Sequence, residues 1–183
     1  MARHVTPRWG WAITGSGHFF KECLAMVGAL EHVDLFVSKA ADEVLRMYRQ
    51  EIDLPPTARV LHDKTASAVP VGDFYYGVYH TLVVAPATSN SVAKFVWGVS
   101  DSLVTNVFAQ AGKCQVPAIV FACDTAPEMD TEAPKGMVKV YPRRIDLENT
   151  ARLKAFDDTV VVESLDALRE GVERRQRELG AGG

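Results

Sequence analysis

With 183 residues, 48% of them hydrophobic and 23% charged, the chain is long enough for one domain with a sizeable core. A net charge of −3 with no basic stripe argues against a nucleic-acid partner, and no apolar run approaches the ~20 residues that span a bilayer. The N-terminus lacks the apolar core of a signal peptide, so a cytoplasmic location is expected; Cys23, Cys114 and Cys123 lack metal-ligand spacing and read as small buried hydrophobes, with no metal site implied.

Trp9–Thr14 is expected as a buried strand, Gly15-Ser16-Gly17 as the turn after it and His18–Leu30 as a helix. Val33–Ser38 is a second apolar run. A helix over Ala40–Gln50 follows, with Val44, Leu45 and Tyr48 on one face. That order predicts a parallel strand pair joined by a crossover. Pro55-Pro56 punctuates the chain, Val60–His62 reads as a short strand, and Asp63–Tyr79 as a long connection. Leu82–Ala85 is a buried strand stopped by Pro86. Ser91–Trp97 carries Val92, Phe95, Val96 and Val99 at helical spacing, and Ser102–Ala111 forms the next helix. Ala118–Cys123 is a strand, and Asp124–Lys135, rich in Pro, Asp, Glu and Thr, is expected as an exposed loop. Val138–Tyr141 is a short strand and Asp146–Phe156 a helix with Asp146 as its N-cap. Thr159–Val162 is a last strand, and Ser164–Leu179 a last helix capped by Ser164. Gly180–Gly183 is expected as a mobile tail. Strands alternating with helices predict an α/β fold: a doubly wound, Rossmann-like parallel sheet with helices on both faces, a single domain over residues 1–183.

Two segments carry the chemistry. Gly15-Ser16-Gly17 lies between a strand and a helix, where glycines let a backbone approach a phosphate and helix-start N–H groups attract it. A dinucleotide fingerprint needs a third glycine where Phe20 stands, and an acidic residue where the second strand ends in Ser38-Lys39. A hydroxyl and an ammonium there suit a phosphate, so the pattern favours a monophosphate such as FMN over NAD. The alternative is a tight turn and no more. The second segment is Pro86-Ala87-Thr88-Ser89-Asn90-Ser91, which brings hydroxyls, an amide and helix-start N–H groups to the carboxyl edge of the sheet.

These residues resemble the flavoprotein family of homo-oligomeric flavin-containing cysteine decarboxylases. Pro86–Ser91 stands where that family has a proline-alanine-serine/threonine-alanine-asparagine-threonine motif, and Gly98-Val99-Ser100-Asp101-Ser102-Leu103-Val104-Thr105 is similar to the segment behind it. PATSNSVAK (Pro86–Lys94), SLVTNVFAQA (Ser102–Ala111) and RIDLENTARL (Arg144–Leu153) resemble the archaeal-type flavoprotein and dihydromethanopterin reductase branch. The decarboxylases' histidine is missing from Val69-Pro70-Val71-Gly72, and Ala122–Met129 replaces their methionine-rich clamp, so decarboxylation is not expected. Iron–sulfur cysteine clusters are missing too, so an external electron donor is expected.

The resemblance implies an FMN cofactor, a small-molecule pterin substrate and a homo-oligomer built from trimers, with neither nucleic acid nor membrane as partner. It implies contacts to the FMN phosphate and ribityl from Gly15, Ser16, Gly17 and Ser38, with His18 beside them. Pro86, Ala87, Thr88, Ser89 and Asn90 are expected at the ribityl or ring, and Asp101, Ser102 and Leu103 offer a further helix start. No catalytic residue is assigned. Several roles stay open. Asn90 suits a flavin edge or a helix cap, and Asp101 suits a flavin contact or a cap. Lys94 suits a reduced flavin or solvent, and His18 a neutral donor or an ordinary first-turn residue. Tyr75, Tyr76 and Tyr79 suit ring stacking or core packing, and Trp97 a trimer interface or a monomer core. The activity expected is reduction of dihydromethanopterin, or a related dihydropterin, by hydride from reduced flavin. The alternatives are an electron-transfer flavoprotein without an organic substrate, and a flavin carrier.

Overall fold

The computed structural model describes residues 6–64, 69–133 and 135–181. The expected tail residues Gly182 and Gly183, and positions 65–68 of the expected long connection, lie outside the described residues.

The apolar runs become strands β1 (Arg8–Ile13), β2 (Val33–Val37), β3 (Arg59–His62), β4 (Tyr79–Ala87), β5 (Ala118–Ala122), β6 (Met129–Ala133), β7 (Gly136–Val140) and β8 (Thr159–Val162). Six of them form a parallel sheet in the order β3-β2-β1-β4-β5-β8. The connecting helices are α1 (Phe20–Gly28), α2 (Lys39–Met47), α3 (Val69–Gly72), α4 (Ser89–Val96), α5 (Leu103–Lys113), α6 (Arg144–Leu153) and α7 (Leu165–Gly180), with a 3-10 turn at Asp73–Tyr76.

Side chains alternate across each strand, so each central strand serves two cores. Trp9, Trp11, Ile13, Leu35 and Phe121 pack under α1, α2 and α7. Ala12, Phe36, Leu82, Val84 and Val120 pack under α4, α5 and α6. Trp11 is fully buried, and its indole N–H donates to the Ala85 carbonyl at 2.9 Å. At the amino edge of the sheet, Asp34 is also fully buried. It accepts from Arg8 Nε (2.7 Å), from the Tyr79 hydroxyl (2.7 Å) and from both Arg59 Nε (2.8 Å) and Arg59 Nη2.

The expected alternation holds, with local corrections: β4 does not stop at Pro86 but runs through it to Ala87, and α4 opens at Ser89, two residues earlier than expected. The Asp124–Lys135 stretch is not simply a loop, because its second half is β6, paired antiparallel with β7. That hairpin has no buried face to leave an alternating apolar pattern; its strands are held by their ladder and by a Glu128–Lys139 ion pair. The first helix opens at Phe20, two residues later than expected. Ser16 Oγ takes the His18 N–H at 3.1 Å, and Phe19 adopts a left-handed φ of 50°, so His18 belongs to the turn. Asp146 is not the N-cap of α6. It sits in the first turn and reaches back to accept the Arg143 N–H at 2.9 Å, with two further bonds from the guanidinium. Val99 lies beyond the end of α4 and is 43% exposed, so the apolar face of that helix closes on Val92 and Phe95.

Among the described residues no helix is long and apolar enough to cross a membrane.

Candidate functional site

The strand order reverses between β1 and β4: the chain proceeds from β1 to β2 on one side and from β4 to β5 on the other. Loops leaving the carboxyl ends of such a pair diverge and open a crevice. Thr14, the first residue past β1, holds its two sides together. Its hydroxyl donates to the Pro86 carbonyl (2.8 Å) and accepts the Thr88 N–H (2.9 Å), while its own N–H donates to Pro86 at 3.2 Å. Thr14 is 2% exposed, so its loss strands buried polar groups. Thr14→Val is expected to lower the unfolding free energy by about 1–3 kcal/mol in urea titrations; an unchanged midpoint contradicts this role.

Gly15 follows, and its glycine is a packing requirement. A Cβ there would stand 2.4 Å from Ala40 Cβ and 3.1 Å from the Ala40 carbonyl carbon. The β1 turn therefore rests directly on the first turn of α2. Ser38 caps that helix by accepting the Ala41 N–H at 3.0 Å. The N–H groups of Lys39 and Ala40 precede any intrahelical partner. Turn and helix start thus form one corner of backbone donors, with Lys39 as the exposed first residue of the helix, a setting that attracts an anion.

On the other side of the turn lies a cleft of about 260 Å³, lined by Gly15, Ser16, Gly17, His18, Thr88 and Cys123, then Asp124 and the inner side of the β6–β7 hairpin. Ser16 Oγ accepts from the His18 N–H and from the Cys123 thiol (3.3 Å). Both of its lone pairs are then engaged, and its own O–H remains to donate. Burial pushes the Cys123 thiol up to about 12, so it keeps its proton. Burial also lowers the pKa of His18, against the raising fields of Asp124 and Glu22. That ring sits edge-on to Phe19 at 4.4 Å, with Nδ1 3.4 Å from the Thr131 hydroxyl. The hairpin is tied down by Tyr48, whose hydroxyl donates to the Glu132 carbonyl (3.4 Å), and by the Lys21–Glu132 ion pair (3.5 Å). A Cβ on Gly17 would meet Tyr48 Oη at 2.5 Å and the Glu132 carbonyl oxygen at 2.8 Å, so this glycine lets the hairpin close on the turn.

Of the residues read from the sequence, Gly15, Ser16, Gly17, His18 and Thr88 therefore share one cleft. Pro86 and Ala87 are buried beneath it, with a cis Ala85–Pro86 peptide. Thr88 caps α4, its Oγ1 accepting the Ser91 N–H at 3.3 Å; Asn90 is not the cap and lies exposed in the first turn after half-buried Ser89. Ser38 caps α2 and does not line the cleft.

Asp101, Ser102 and Leu103 are not gathered into this cleft within the chain. Ser102 caps α5 and exchanges hydrogen bonds with Thr105, Leu103 is 2% exposed in the core, and Asp101 pairs with Lys94 at 2.8 Å. Asp101 is thus an ion-pair partner and not a cap, and Lys94 is paired, not free in solvent. Tyr79 is 2% exposed and bonded to Asp34, which settles it as a core residue; Tyr75 and Tyr76 are exposed. Trp97 is 63% exposed, with the Arg152 guanidinium 5.1 Å above its ring. Cys23 and Cys123 are buried as expected, but Cys114 is only half-buried. Cys123, Asp124, Thr131 and Glu132 also line the cleft, although no motif in the sequence marks them as site residues. The first two ride at the end of β5, beside the strand-order reversal, and that position was the available signal.

The Flavoprotein family model matches residues 2–176. Burkholderia xenovorans DmrB, whose crystal structure in complex with FMN is described as a cubic protein cage for redox transfer, is 46% identical; the match covers 95% of this chain and 97% of that one, with a TM-score of 0.84. A dihydromethanopterin reductase (acceptor) of Methanosarcina mazei is 37% identical over 141 residues, 69% of this chain and 59% of that protein. Its counterpart in Methanocaldococcus jannaschii is 35% identical over 128 residues, 62% of this chain and 52% of that protein. The chain thus matches little more than half the length of these two curated relatives. The family model alone spans nearly the whole sequence, and on that ground the chain belongs to the Flavoprotein family.

Proposed function

We propose that the crevice holds FMN and that the protein is an FMN-dependent reductase of dihydromethanopterin or a related dihydropterin. The observation that carries this reading is the glycine corner, where Gly15 leaves no room for a side chain against Ala40. A corner of N–H donors suits a terminal phosphoryl group. The 46% identity to DmrB, solved with FMN, supports the cofactor, and the two reductases support the reaction class.

When bound, FMN supplies the redox chemistry, delivering a hydride from its reduced ring to a pterin C=N bond. The chain's residues supply position. Gly15, Ser38, Lys39 and Ala40 hold the phosphoryl group, and the Ser16 hydroxyl donates to the ribityl side. Thr88, Ser89 and Asn90 present the start of α4 to the ring edge. Thr14 keeps the two halves of this frame at fixed separation. An external donor restores the reduced state, so donor and pterin take turns at one site. A homo-oligomer built from trimers belongs to the same reading. It is supported by the cage described for DmrB and by exposed Trp97, Val99 and Phe156.

Two measurements test this. Reduced protein mixed anaerobically with dihydromethanopterin should reoxidise within a single turnover in stopped-flow absorbance; no reoxidation overturns the reductase reading and leaves electron transfer. Ser38→Asp keeps a helix-capping side chain but sets a carboxylate at the corner. FMN affinity should fall about 100-fold, roughly 2.7 kcal/mol, and stoichiometric FMN in this variant contradicts the phosphate assignment.

A further inference from the structure

We infer that Asp124 is the residue that recognises the pterin, through the paired N–H donors of its 2-amino-4-oxopyrimidine edge. The inference rests on the reductase reading above and adds to it the group that selects the substrate.

Two acidic side chains line the cleft, Asp124 and Glu132. Glu132 is committed, since its carboxylate pairs with Lys21. Asp124 makes no hydrogen bond and no ion pair among the described residues, although it is half-buried. The charged and titratable groups around it do not neutralise it. Arg143 feels its field, but that guanidinium is bound by Asp146 through Nε (3.0 Å) and Nη2 (2.8 Å). His18 faces it from the β1 turn, and burial keeps that imidazole neutral near pH 7. Cys123, its neighbour in sequence, is a protonated thiol. An unpaired carboxylate in a partly desolvated cleft gains most from a ligand that brings two donors to its two oxygens. Adjacent N2–H and N3–H groups on a pterin present that pair.

The position agrees. Ser38 follows β2 and Asp124 follows β5, with β1 and β4 between them. Three strand spacings put these two ends roughly 14 Å apart along the sheet edge. The carboxylate is therefore removed from Ser38 and the start of α2, where it would repel a phosphoryl group, while it shares the cleft with Ser16, which the neighbouring Cys123 thiol bonds at 3.3 Å. The Thr131 and Met129 side chains line the same end of the cleft, giving a hydroxyl and a soft apolar contact for a flat heterocycle.

Asp124→Asn in the full holo-protein tests this, because an amide offers only one acceptor and turns a donor toward a donor edge. Dihydropterin affinity for the oxidised holo-protein, by isothermal titration, should weaken about 100-fold, and KM in the stopped-flow assay should rise in parallel. FMN should stay bound at one per chain. Asp124→Glu should restore part of the lost affinity, and a 2-desamino pterin should bind wild type and Asp124→Asn equally weakly. Wild-type pterin affinity in Asp124→Asn overturns the assignment and leaves the reductase reading standing. Failure of the wild-type protein to bind or reduce any dihydropterin defeats that reading, and this inference with it.

Discussion

Alanine at position 15 should cost the protein its flavin. The added methyl would lie 2.4 Å from Ala40 Cβ and within 3.2 Å of the Ala40 carbonyl oxygen, and backbone cannot rotate out of the way as a side chain can. The first turn of α2 must move off the β1 turn, and the donors that share one phosphoryl group separate. We expect FMN affinity to fall by about 100-fold or more, roughly 2.7 kcal/mol, with a further ~1–3 kcal/mol lost from folding through overpacking. Fluorescence titration and urea unfolding read the two effects separately. Gly112→Ala is the control: that glycine is helical with open space where its Cβ would go, so it should be neutral or stabilising by up to ~1 kcal/mol. A Gly15→Ala protein with native FMN affinity contradicts the corner.

Asp34→Asn should be the most destabilising substitution away from the crevice. The Asp34 carboxylate is fully buried among Arg8, Arg59 and Tyr79, and it joins the starts of β1, β3 and β4 to β2. Removing its charge leaves the largely buried Arg8 guanidinium without its carboxylate partner, while half-exposed Arg59 keeps Asp73 at 3.8 Å; breaking a buried pair in this way costs about 3–5 kcal/mol. Burial pushes the Asp34 pKa up, but the hydrogen bonds from Arg59, Arg8 and Tyr79 outweigh it, and the net shift is below the ordinary 3.8. With the folded value depressed, the stabilisation is present above the unfolded value and drains away as pH falls through the folded one. Urea midpoints of the wild type should therefore drop between about pH 5 and pH 3. Asp34→Asn should lack that component, and a variant that keeps wild-type stability at both values contradicts the network.

Much of this architecture was legible because it rests on period and punctuation. The runs around Trp11, Leu35, Val83 and Val120 are apolar on both faces, which is what a sheet covered on both sides demands. Gly15 marked the turn after β1, and Pro86 the last residues of β4, on the two sides of the strand reversal. What stayed hidden depends on partners far along the chain. Asp34 sits inside an apolar run, and only Arg8, Arg59 and Tyr79 make its burial tolerable. The β6–β7 hairpin carries no buried face, so Met129–Ala133 read as loop composition. Asn90 reads as a possible cap of α4, but the cap is Thr88. The choice fell to Thr88 because Thr14 Oγ1 holds its N–H and fixes where the helix begins. Cys123 read as a small hydrophobe, and it is one by burial, yet its thiol also sets the direction of the Ser16 hydroxyl.

Titration of flavin-free protein with FMN and with riboflavin tests most directly whether a phosphoryl group anchors the cofactor at Gly15 and Ser38. One FMN should bind per chain, and riboflavin should bind about 100-fold or more weaker, since only the phosphate engages that corner. Equal affinities for the two would contradict it.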